Sequence, residues 1–287
     1  MTVTSITQPD QITRAAPSID LHGEATPLGR LARETWKARE LLVILARKDF
    51  HVRYRRAALG VLWALALPLL QSAVMAVIFA RVGHIRHVGV NYAALVLTGM
   101  APWTYFNMAL ASGSTAVVDN TDLSAKVYFP RALLPMTQIL TSLYGYVVTL
   151  AIVLGLCPLL HTPLTLHTLL VVPGTLLLVS LVCGFVLVFS ALHVYFRDVR
   201  YLVTAALMLW MYVTPIIYTA SDAPGSLRTI IDVNPMTGIV DLFHYATVGH
   251  VGAMSLPLAV TAVWIVVLLG AGVALHCRYN RVFADLL

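Results

Sequence analysis

The chain has 287 residues, of which 59% are apolar and only 11% charged, and its mean hydropathy is +0.82. A soluble domain carries about 25% charged residues, so this composition excludes a water-soluble globular protein and calls for a bilayer around most of the chain. The net charge of +6 is no nucleic-acid footprint, because that needs a basic face on a folded soluble domain and the sequence offers none.

Residues 1–26 are polar, poor in aromatics and carry Pro9 and Pro17. They read as a disordered cytoplasmic tail without a cleavable signal peptide. Thr26-Pro27 has the form of a helix start. Leu28, Leu31, Thr35, Ala38, Leu42 and Leu45 then fall on one stripe, with Arg30, Arg33, Lys37 and Glu40 towards the other side. The spacing predicts an amphipathic interface helix over 27–46, marked by Leu31, Trp36 and Leu42. Such a helix is either a headgroup anchor or a docking surface for a cytoplasmic partner. Arg47, Lys48, Arg53, Arg55 and Arg56 follow and stop abruptly before a charge-free run. A charge at the centre of a membrane helix costs about 2.5–3.5 kcal/mol, which pins this cluster to the cytoplasmic surface.

Apolar stretches at about 61–82, 92–118, 132–158, 169–192 and 258–276, and an aromatic-rich one at 201–219, approach or exceed the length that spans a bilayer. They lack the alternation of barrel strands. The expectation is an all-α integral membrane protein with six transmembrane helices in one transmembrane domain, 27–287, multi-pass in the cell's inner or plasma membrane. With both termini cytoplasmic, the outer side holds just Arg81, Arg86 and Arg228 of the 19 Lys and Arg residues.

Between the second and third stretches, Asp119, Asn120 and Thr121 can each cap a helix, Asp122 suits its first turn, and Pro130 disfavours helix at Phe129. A short cytoplasmic helix with exposed Leu123 and Tyr128 fits there. Residues 219–257 are too polar to span, with Asp222, Arg228, Asp232 and Asp241, yet keep Ile230, Ile231, Ile239 and Phe243 around an Asn234-Pro235 break. Two short helices dipping into the outer leaflet fit this pattern better than a free loop. A cap lying on the membrane surface is the other reading.

No GxxxxGK[ST], HExxH or GxSxG run occurs. His84 and His87 are too few for a metal site, and Cys157, Cys183 and Cys277 form no CxxC. The span centres lack Asp, Glu, Lys and Arg, which argues against an ion-coupled pump, so any driving energy comes from outside this chain. Their polar content is aromatic hydroxyl and amide. Tyr105, Tyr144, Tyr146 and Tyr212 can line a sugar path, since a sugar ring also combines an apolar face with hydroxyl edges. Aromatics also build interfacial belts, the reading preferred for Tyr92, Trp103 and Tyr218.

The run from Arg47 to Trp63, RKDFHVRYRRAALGVLW, ending at Pro68, resembles the signature of the membrane subunit of polysaccharide exporters of the ATP-binding cassette class. The resemblance continues at Lys126–Pro135, at Phe196-Arg197-Asp198-Val199, at Thr214–Tyr218 and at Asn234-Pro235, in family order. It implies six spans, an interface helix before the first, and re-entrant helices between spans five and six. It also implies a coupling helix carrying Asp122, Leu123, Lys126, Val127, Tyr128 and Phe129 that sits in a cleft of a separate cassette ATPase. The working exporter would hold two copies of this chain and two ATPase subunits. ATP and Mg would bind the partner, with no cofactor on this chain and no catalysed step. The cargo would be a lipid-linked polysaccharide, O-antigen-like or a galactan precursor. Arg53, Arg55 and Arg56 then stand where a lipid pyrophosphate arrives, although topogenic anchoring also explains them. The alternatives are an exporter of a drug or small lipid and a polytopic membrane sugar-transferring enzyme. The second lacks the clustered carboxylates at span ends that metal-dependent sugar transfer needs.

Overall fold

The computed structural model describes residues 28–55, 63–81, 91–121, 130–219, 225–249 and 254–279. The tail 1–26, the Thr26-Pro27 start, the short helix expected over 122–129 and the His84/His87 pair lie outside them. Among the described residues the regular structure is helical, with no strand. The helices are α1 (Leu28–Lys37), α2 (Arg39–Tyr54), α3 (Trp63–Arg81), α4 (Tyr92–Asp119), α5 (Leu133–Leu156), α6 (Val171–Tyr195), α7 (Val199–Val213), α8 (Gly225–Val233), α9 (Thr237–Val248) and α10 (Ser255–Tyr279). Two short 3-10 turns, Pro158–Leu160 and Leu166–Leu170, connect α5 to α6.

Helix α4 is the centre of the bundle, packed against α3, α5, α6, α7 and α9. Its sequence explains the position. Small residues let neighbours approach, and at Gly113 an added Cβ would lie 2.7 Å from the Val186 side chain of α6. Its hydroxyls bond back to its own turns, with Thr98 Oγ1 donating to the Ala94 carbonyl at 2.9 Å and Thr104 Oγ1 to that of Met100 at 3.0 Å. The polar groups therefore need no water, and bulky neighbours close around Met100, Phe106 and Leu110.

Three helical stretches are long and apolar enough to cross a bilayer by themselves: Leu133–Leu160, Leu166–Tyr195 and Ser255–Arg278. Helix α4 has 28 residues, about 42 Å at 1.5 Å per residue, with a more polar composition that suits its inner position. Helix α7 departs from expectation. It has 15 residues, about 22 Å, and the predicted span 201–219 is not one continuous helix. Pro215 forces Thr214 out of the helical region, to φ −86° and ψ 132°. Residues 214–219 continue as non-helical backbone.

The predicted single interface helix also differs. It is broken at Ala38 into α1 and α2, and α2 runs on to Tyr54, carrying Arg47, Lys48 and Arg53. The 219–257 segment holds two short helices, α8 and α9, separated at Asn234-Pro235. Asp241, which makes this stretch look exposed in sequence, is buried in α9 with 2% of its surface accessible. Helix α8 instead exposes Leu227, Ile230 and Val233. The three cysteines are unpaired thiols.

Helices α6 and α10 approach through glycines on both sides. A Cβ at Gly184 would lie 2.7 Å from the Leu268 Cβ, and one at Gly272 would lie 2.6 Å from the Leu187 Cβ. Gly184→Val and Gly272→Val are each expected to destabilise the protein by about 1–3 kcal/mol through overpacking. Gly270→Ala faces open space and should leave the midpoint unchanged or raised. Thermal unfolding in detergent checks the set.

Candidate functional site

The N-terminal helix α2 is fastened to α5. Gln138 lies in the second turn of α5, and its Nε2 donates to Asp49 Oδ2 at 2.9 Å while its Oε1 accepts from Arg53 Nη2 at 3.4 Å. Thr141 Oγ1 donates to the Ala46 carbonyl at 3.3 Å, and Ala46 itself is fully buried. Tyr144 closes the contact, its ring edge-on to Phe50 with centroids 5.8 Å apart. The structure thus gives Tyr144 and Arg53 a place in the α2–α5 joint. Arg53 and Arg55 remain exposed, and Arg56 lies outside the described residues. Of the predicted interface residues, Leu42 is half-buried. Trp36 is 70% exposed, with the Arg39 guanidinium 5.3 Å from its ring centroid. Leu31 belongs to α1, and its side chain lies outside the description.

The predicted coupling residues Asp122, Leu123, Lys126, Val127, Tyr128 and Phe129 lie outside the described residues, but the flanks of that segment are defined. On the incoming side α4 ends at Asp119, with Asn120 as its C-cap. Asn120 Nδ2 donates back to the Ala116 carbonyl at 2.8 Å. A carboxylate at a helix C-terminus opposes the helix dipole. Arg200, the second residue of α7, offsets this with Nη2 at 2.7 and 2.9 Å from the two Asp119 oxygens. On the outgoing side the Leu133 amide donates to the Pro130 carbonyl at 2.9 Å and opens α5. The segment is therefore strung between a corner that holds α7 and a helix that holds α2.

The four tyrosines predicted to line a path do not share one surface. Tyr105 and Tyr146 meet in the core between α4 and α5, ring centroids 5.0 Å apart, both almost fully buried. The Tyr146 hydroxyl bonds Thr175 Oγ1 at 3.2 Å, and that of Tyr105 has no hydrogen-bond partner among the described residues. Tyr144 sits against α2. Tyr212 is 61% exposed, on a face of α7 that also bares Tyr201, Leu202, Met208 and Leu209. Trp103, expected in an interfacial belt, is buried beside Phe106, because position 103 falls well inside α4.

Asn234 is the residue whose role the sequence reading missed. Its Oδ1 accepts from Trp210 Nε1 at 2.8 Å and from the Met236 amide at 3.0 Å. Its Nδ2 donates to Thr214 Oγ1 at 3.0 Å and to the Val213 carbonyl at 3.5 Å. The Tyr92 hydroxyl donates to the Ile217 carbonyl at 2.8 Å, and that of Tyr218 to the Tyr212 carbonyl at 3.2 Å. Together they brace the C-terminal end of α7, hold the Thr214 side chain and satisfy the Ile217 carbonyl in the non-helical stretch that follows. In sequence Asn234-Pro235 reads as a break between helices and as one block of the family resemblance, with no sign of these bonds.

The family model for ABC-2 type transporters matches residues 40–248, which is α2 through α9 and so every part of this arrangement. The chain belongs to the ABC-2 type transporter family. It is 30% identical over 258 residues, 89% of this chain and 98% of the relative, to an O-antigen export system permease protein of Myxococcus xanthus. A permease of the same description from Klebsiella pneumoniae is 28% identical over 221 residues, 74% of this chain and 83% of the relative. A second one from Klebsiella pneumoniae is 28% identical over 202 residues, 70% and 77% of the two chains. This ABC-2 protein is a multi-pass membrane transport subunit. Its described residues gather no group of three or more His, Cys, Asp or Glu side chains able to hold a metal.

Gln138→Leu removes both side-chain bonds to α2. Hydrogen bonds to charged groups contribute about 1.5–3 kcal/mol, and each 1.4 kcal/mol is a factor of ten in the population of the open form. Tryptic cleavage of the folded protein at Arg47 and Lys48 is expected to rise about tenfold. An unchanged cleavage rate would show that α2 is held by other means.

Proposed function

We propose that this chain is the membrane half of an ATP-driven exporter that carries a lipid-linked polysaccharide, O-antigen-like or a galactan precursor, to the outer face of the inner or plasma membrane. The observation that carries the reading is the similarity to O-antigen export permeases along nearly the whole chain. Six spans are then α3, α4, α5, α6, α7 with residues 214–219, and α10, with both termini cytoplasmic and α8 and α9 dipping back from the outer side. Two copies pair around the path, and the bare aromatic and aliphatic face of α7, with Tyr212, borders it. Two cassette ATPase subunits, binding ATP and Mg, press on 122–129. The absence of a phosphate-binding loop in the sequence agrees with this division of labour. Arg53 and Arg55, both exposed, and the neighbouring Arg56 of the sequence stand at the entrance in this reading, where planar guanidinium groups suit the oxygens of a lipid pyrophosphate.

Proteoliposomes containing the chain with its cognate ATPase are expected to move a lipid-pyrophosphate-linked glycan when ATP is added, and the chain alone to hydrolyse no ATP. Transport of a small amphiphile with no movement of the glycan would overturn the cargo assignment. ATP-driven transport by the chain alone would overturn the division of labour. In the same system Leu123→Asp with Tyr128→Asp should uncouple hydrolysis from export, because it places unpaired charge in an apolar contact. Full export by that variant would remove 122–129 as the coupling element.

A further inference from the structure

Helix α7 is loosely held along its length and firmly held at its ends. Val203 and Leu207 are its buried residues, and the rest of its surface is largely bare. At one end Trp210 is bonded to Asn234, just ahead of α9. At the other end Arg200 grips both oxygens of Asp119, the last residue of α4 and three residues before Asp122. An ion pair this exposed, with about half of each side chain in solvent, contributes little to stability. Its geometry matters more. One nitrogen, Nη2, reaches both carboxylate oxygens, a short charge-assisted contact that ties the start of α7 to the last residue of α4.

We propose that the Asp119–Arg200 ion pair is the joint through which movement of the end of α4 drives α7, and through Trp210 and Asn234 the pair α8 and α9. Asp119 and Arg200 are positioning residues in this scheme and touch neither cargo nor nucleotide. The inference rests on the reading of the chain as an ATP-driven export permease. Helix α7 is suited to act as a connecting rod. It is short and rigid, its sides are nearly free, and each end is hydrogen-bonded to an element on a different side of the protein.

The test uses the permease–ATPase complex in proteoliposomes and reads assembly, ATP hydrolysis and glycan export separately. Asp119→Arg and Arg200→Asp are each expected to leave assembly and ATP hydrolysis near the wild-type level and to lower export at least tenfold. The exchanged pair, Asp119→Arg with Arg200→Asp, is expected to recover at least half of wild-type export. Export within twofold of wild type in either single variant overturns the joint, as does an exchanged pair no better than the singles. Should the charge reversals fail to assemble, Asp119→Asn and Arg200→Gln carry the test. The same loss of export with retained hydrolysis supports the joint, and export within twofold of wild type overturns it. A wild-type complex that exports no glycan overturns the functional reading and the joint with it. Wild-type export beside fully active variants overturns the joint alone.

Discussion

Lipid offers no hydrogen bonds, and a chain that leaves the helix inside an apolar stretch has to supply them from elsewhere in the protein. Pro215 sets this problem. It ends α7 after 15 residues and turns 214–219 into open backbone. Asn234 braces the point where the helix ends with a single side chain that serves four partners, the Val213 carbonyl and the Thr214 hydroxyl among them. Tyr92 takes the Ile217 carbonyl, Tyr218 the Tyr212 carbonyl, and the Ile216 amide turns back to the Thr214 carbonyl. The arrangement of α8 and α9 follows. Asn234 lies between α8 and α9, so the residue that seals the end of α7 also fixes where α9 enters the bundle. Trp210 is drawn inward to reach it, edge-on to both Phe106 and Phe185.

The helix bundle itself is built on a different principle. Lipid is as apolar as a leucine side chain, so close backbone approach and hydrogen bonds, more than hydrophobic burial, select helix partners. Helices α6 and α10 meet at Gly184 and Gly272, and α4 meets α6 at Gly113. At the charged end the partners are chosen by polar side chains: Gln138 and Thr141 fix α2 on α5, and Asp119 holds Arg200. Close packing in the middle with polar joints at the end suits a transport subunit.

Much of the helical content was legible because long charge-free runs have one solution in lipid. The 92–118 and 132–158 stretches match α4 and α5 to within a few residues, since Asn91, whose side chain accepts from the Ala93 amide, and Pro130 mark their starts. The α7 region was misjudged because hydropathy does not register a proline that breaks a helix when the residues on both sides stay apolar. The site was less legible. Tyr105 and Tyr212 look alike in sequence, an aromatic in an apolar run, yet one is in the core and the other on the outside of α7. A mean helical moment is weak in segments that are apolar all round, so burial there depends on which helices become neighbours. Asp119 carried the signal of a helix cap, and its bond to Arg200, 81 positions away, leaves no trace in local spacing.

The account depends most directly on the stretch after α7 being held inside the protein by Asn234. Amide hydrogen exchange of residues 216–219 in lipid nanodiscs measures this. The wild-type amides are expected to exchange as slowly as those of α4, and Asn234→Ala to speed them at least tenfold while α4 stays protected. Fast exchange of 216–219 in the wild type, or equal protection in the variant, would contradict the account.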